Sequence, residues 1–159
     1  MSGGRVIFEL FSNFITLVFI DMAVIYDIKT YRIPNNLNLV GSICGLVLSV
    51  VAYGVKGLLY SFTGMLIPIV LLFVFYCFGI IGAGDIKLLA MIGSFIFQDI
   101  LYVIMLALIL TSIFGVFVSM KNIFCIGTKK KKVSELSFRK IHLSIPIALG
   151  TMLFMIISA

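Results

Sequence analysis

Tryptophan is absent from this chain of 159 residues, histidine occurs once, and Asp, Glu, Lys and Arg together make up only 11% of it. With 62% hydrophobic residues and a mean hydropathy of +1.27, the sequence excludes an ordinary water-soluble domain, which could not hide so much apolar surface. It reads as an integral membrane protein whose solvent is the lipid bilayer. The three cysteines, Cys44, Cys77 and Cys125, are widely spaced and make neither a CxxC pair nor an even disulfide set. His142 has no second type of ligand beside it, so neither a metal site nor a cofactor is expected.

What the chain does have is long apolar runs. They extend over Val6–Tyr26, Leu37–Tyr53, Leu58–Ile81, Ile86–Phe97, Ile100–Met120 and Ile141–Ser158. A hydrocarbon core about 30 Å thick takes roughly 20 apolar residues per helix, so six spans fill the chain and leave no room for a second domain. The alternation of a membrane β-barrel is missing, and the expected class is all-α, polytopic, with a single membrane-embedded domain covering residues 1–159. The fourth run is short: about 12 residues cover about 18 Å, which predicts a short helix facing a water-filled cavity. No small-residue cleavage site follows the first run, which reads as a retained helix.

Charge distribution orients the spans. With alternating crossings, one side collects Lys29, Arg32, Lys87, Lys121, Lys129, Lys130, Lys131, Lys132, Arg139 and Lys140, and the other only Arg5 and Lys56. By the positive-inside rule, the loops on the richer side are cytoplasmic and both termini lie outside. The net charge of +6 therefore reads as membrane topology, not nucleic-acid binding. The run Lys129 to Lys132 is an orientation signal that can also meet anionic headgroups.

Of the six acidic residues, Glu9, Asp99 and Glu135 fall at interfaces or in loops and need no special role. Asp21 lies inside the first span, where an ionisable group is a functional candidate by default. Asp27 and Asp85 are placed by the topology at the cytoplasmic boundary, each beside a break. The first break is YDIKTYRIPNN, where Pro34 cannot continue a helix and Asn35 or Asn36 can cap the next. The second is GIIGAGDIKLLA, where Gly79, Gly82 and Gly84 let another backbone approach. Taken alone, Asp85 could simply cap the fourth helix. Two carboxylates brought to one depth share a proton, and one base plus one acid can activate water against a peptide bond.

DIKTYRIPN, with its aspartate seven positions before the proline, and GAGDIKLLAMIG resemble the two motifs of the type IV prepilin peptidases, membrane aspartic proteases of the GxGD class. The resemblance covers most of the chain, including a late proline segment, Ile145 to Gly150. It implies that Asp27 and Asp85 are the catalytic carboxylates. The resemblance also implies cleavage of prepilin-like precursors, which carry a leader peptide and an apolar helix, after a leader glycine at the cytoplasmic face. The residues themselves make Gly82, Gly84 and Pro34 candidates for shaping the loops of the substrate site. Lys87, two positions after Asp85, is either a group that approaches a carboxylate or an acidic part of the substrate, or a boundary lysine that obeys the charge rule. Larger members add a methyltransferase region with paired CxxC motifs. This chain has none and resembles the short, peptidase-only form found with tight-adherence pili or archaeal flagella.

Two other readings stand beside this one. The presenilin and signal peptide peptidase families also use GxGD, and Tyr26-Asp27 matches superficially, but their contiguous PAL motif is replaced here by Pro146-Ile147-Ala148-Leu149. A small transporter or scaffold subunit of a secretion machine would place acids near mid-span, which suits Asp21 alone. The oligomeric state is not legible. Helix position predicts a division of labour: Asp85, at a helix N-terminus, is the ionised base, and Asp27, at a C-terminal end, the protonated acid.

Overall fold

The computed structural model describes residues 3–30, 32–79, 81–126 and 144–158. Among the described residues every regular element is helical: α1 (Gly3–Thr30), α2 (Asn35–Tyr53), α3 (Val55–Cys77), α4 (Ala83–Ile96), a single 3-10 turn (Phe97–Asp99), α5 (Ile100–Ile126) and α6 (Ser144–Ser158). The all-α expectation and the order of six helices agree with this. The segment from Lys129 to Arg139, with its basic run, and His142 lie outside the described residues.

Three helices, α1, α2 and α3, are long and apolar enough to cross a bilayer. Their outer faces carry Phe14, Val18, Leu39, Val51, Phe62 and Val70, all exposed, and this is the surface that hydrocarbon would cover. Their inner faces follow helical spacing. Thr16, Ile20, Ala23 and Asp27 form the buried stripe of α1, with steps of four, three and four residues. The inner stripes of α2 and α3 are mostly small: Gly41, Ser42, Gly45 and Ser49 on one, Gly57, Ser61 and Gly64 on the other.

Small residues let helices approach to backbone contact, and α4 fills the space they leave. The 14-residue α4 is about 21 Å long and is buried at Ile86 and at every position from Leu88 to Ile96. This corrects the expectation of a helix facing a water-filled cavity. A helix that is apolar all round belongs inside a protein, and α4 is wrapped chiefly by α2 and α3.

The tightest point is the crossing of α3 and α4. A methyl group added at Gly93 would overlap the carbonyl oxygen of Gly64, and one at Gly64 would overlap that of Gly93. Pro68, buried inside α3, supplies no N–H to the carbonyl four residues before it. That carbonyl belongs to Gly64, so its oxygen is left to face the α-carbon of Gly93. One turn away, the Ser61 hydroxyl donates to the Ser94 carbonyl at 2.6 Å, satisfying one of the acceptors that the end of α4 would otherwise leave open. Phe97 then turns the chain with φ 61°, a left-handed conformation uncommon for a bulky residue. Its ring is held edge-on by Tyr53, with ring centres 5.8 Å apart.

Candidate active site

The opposite end of α4 carries the acids singled out from the sequence. α1 does not break at Asp27 but continues to Thr30, whose hydroxyl donates to the Tyr26 carbonyl at 2.8 Å and closes the last turn. Asp27 is thus inside the final turn, on the buried stripe, and only 9% exposed. Pro34 stops any continuation by restricting Ile33, and it is itself the N-cap of α2, with φ −61° and ψ 133°. This corrects the expectation of an asparagine cap. The Asn35 side chain instead accepts a hydrogen bond from Lys87 Nζ at 2.9 Å, joining the starts of α2 and α4. Lys87 therefore braces two helices at an exposed position; that is the contact the structure gives it.

Asp85 lies in the first turn of α4, outside the three spanning helices. Its amide donates to the Gly82 carbonyl at 3.1 Å, and its carboxylate accepts the Gly82 N–H, as the third residue of a helix does in a capping box. Burial, and then the charge of Asp27, push its pKa up to about 6, against the smaller opposing effect of the Gly82 hydrogen bond. The charge effect requires that Asp27 and Asp85, 58 positions apart in sequence, share one end of the bundle. The structure thus brings together the two acids singled out from sequence. It separates Asp21, which is exposed on the outer side of α1, away from the Ile20, Ala23 and Asp27 stripe.

The three glycines before Asp85 differ. Gly79 has φ 70° and turns the chain out of α3. At Gly82 a Cβ would come within 3.0 Å of Asp85 Oδ2, so only glycine leaves the carboxylate undisturbed. At Gly84 the nearest neighbour of a Cβ is Ile33, 3.9 Å away, an ordinary contact. Behind Asp85 a narrow apolar cleft is walled by Leu89, Ile104, Ala107 and Ile147, from α4, α5 and α6.

Sequence reasoning missed Ser144. It is the first residue of α6, fully buried, and its hydroxyl donates to Asp27 Oδ2 at 2.5 Å. A serine beside the late proline segment carries no local signal of a contact made 117 positions away. Asn38 was also missed: both polar atoms of its side chain are buried without a hydrogen-bond partner among the described residues. No group of three metal-ligating side chains occurs among the described residues.

No curated protein and no solved structure matches the chain. A family model does match, over residues 14–120, a stretch that contains both aspartates, Pro34 and the Gly79 to Gly84 turn. That match covers more than half of the sequence, and the chain belongs to the type IV leader peptidase family.

Proposed function

We propose that the protein is a membrane aspartic endopeptidase that removes the leader peptide of prepilin-like precursors, with Asp27 and Asp85 as its catalytic pair. The observation that carries this reading is the meeting of the two carboxylates at one end of the bundle, close enough for one to raise the pKa of the other. Two such groups hold one proton between them, which gives a base for water and an acid for the scissile carbonyl. Gly82 and Gly84 shape the approach to Asp85. Pro34 sets the turn after Asp27, and the Lys87 to Asn35 bond ties that turn to α4.

In this reading the chain is a multi-pass protein of the cytoplasmic membrane, with α4 enclosed by the spanning helices, and the aspartates act at its cytoplasmic face, as the distribution of basic residues suggests. The substrate is a precursor with a leader, a cleavage point and an apolar helix. The outward position of Asp21 removes the main support for a proton-conducting alternative.

The test uses the full chain purified in detergent with a prepilin-like precursor, and sizes the products. Asp27→Asn and Asp85→Asn should each lower kcat at least about 100-fold while inserting normally. Asp21→Asn should cleave at close to the native rate. Native cleavage by either of the first two variants would overturn the proposal.

A further inference from the structure

The two carboxylates are not held alike. Asp85 is bonded by the backbone of its own helix start, through Gly82. Asp27 is bonded across the bundle by a side chain of α6. Most described serine and threonine hydroxyls bond back to their own helix: Thr16 to Ser12, Thr111 to Ala107, Ser112 to Leu108 and Thr151 to Ile147. Ser144 opens α6 and has no preceding turn of that helix to bond, so its single proton goes to Asp27 Oδ2. Pro146, two residues on, is tolerated in a first turn and holds the backbone there.

We propose that Ser144 is a positioning residue that fixes Asp27 as an acceptor, making Asp27 the base and Asp85 the acid of the pair. This rests on the peptidase reading above and reverses the assignment drawn from helix position, which did not include a contact from α6. A hydroxyl donated to one carboxylate oxygen keeps that oxygen an acceptor and sets the direction of the other. The acid role then falls to Asp85, whose burial favours the protonated form.

The cycle balances. Asp27 takes a proton from water as the water oxygen bonds to the scissile carbon, and Asp85 gives its proton to the carbonyl oxygen. Asp27 next passes its proton to the amide nitrogen as the C–N bond breaks. One hydroxyl of the diol returns a proton to Asp85, leaving a new carboxyl and a new amine.

The experiment compares Ser144→Ala and Ser144→Cys in the full chain, with Asp27→Asn and Asp85→Asn alongside. A hydrogen bond to a charged group contributes about 1.5–3 kcal/mol, so Ser144→Ala should lower kcat about 10- to 100-fold with KM within about twofold. Cysteine, a weak donor of similar size, should recover part of that loss, and both variants should melt within a few degrees of the native protein. An asparagine amide can still donate to a carbonyl but cannot take a proton from water. Asp85→Asn should therefore retain at least about tenfold more residual cleavage than Asp27→Asn. The positioning role is overturned if Ser144→Ala keeps the native kcat, if its loss lies in KM, or if Cys recovers nothing. The assignment of roles is overturned if Asp27→Asn is the more active of the two asparagine variants. Native activity in either asparagine variant defeats the peptidase reading itself, a different failure.

Discussion

The two ends of α4 solve opposite problems. At its C-terminal end Gly93 meets Gly64 backbone to backbone, and the Ser61 hydroxyl supplies the Ser94 carbonyl with a donor. At its N-terminal end the half-buried Asp85 lies within reach of the charge of Asp27, and its pKa is raised. One end lowers the free energy of the fold; the other holds an unfavourable interaction at the proposed site. Substitutions should therefore separate cleanly by end, and those that do not would break the contrast.

Among substitutions in α4, the largest effect should come from Asp85→Asn, with kcat reduced at least about 100-fold and no loss of folded protein on gel filtration in detergent. Gly93→Val should do the reverse. Its side chain would enter the Gly64 carbonyl, at a cost of about 3 kcal/mol or more, read as a lower melting temperature and a poor folded yield.

Asp85 also predicts a pH dependence. Its pKa is raised from 3.8 to about 6 on folding, so between those values the folded state binds more protons than the unfolded one. Stability then falls as pH rises through that window, by up to about 3 kcal/mol in total, and the loss is complete above it. Asp85→Asn should raise the melting temperature at pH 7.5 and leave it unchanged at pH 4. An equal shift at both values would mean that the carboxylate is not under this penalty.

A smaller effect is expected from Gly82→Ala, whose Cβ would displace Asp85 Oδ2 by a few tenths of an ångström, lowering kcat about tenfold with the fold intact. The smallest belongs to Asn38→Leu. Replacing an unpaired buried amide with an apolar group of similar size should be neutral or stabilise by about 1 kcal/mol, read by thermal melting.

The apolar runs reveal the helices because bilayer thickness and helical rise leave few alternatives. Asp27 and Asp85 stand out as candidates because each is a carboxylate beside a Pro or Gly break, a combination that bulk lipid would not favour. The short fourth run misleads through its length alone. Its composition, apolar on every face from Leu88 to Ile96, is that of a helix enclosed by protein. Ser144 stays hidden because its partner is fixed by how α6 docks against α1, a tertiary fact with no periodic trace. The left-handed Phe97 is hidden for a similar reason, since the aromatic rings of Tyr53 and Tyr60 that surround it come from other helices.

The contact of Gly64 with Gly93 gives α4 a fulcrum. From Gly93 to Asp85 is eight residues, an arm of about 12 Å. A tilt of about 5° about that point would carry the Asp85 end through about 1 Å, and a misplacement of that size can reduce a catalysed rate about 100-fold. The accuracy with which the two aspartates meet is therefore set as much by the seating of two glycines at the far end of the helix as by anything near the carboxylates.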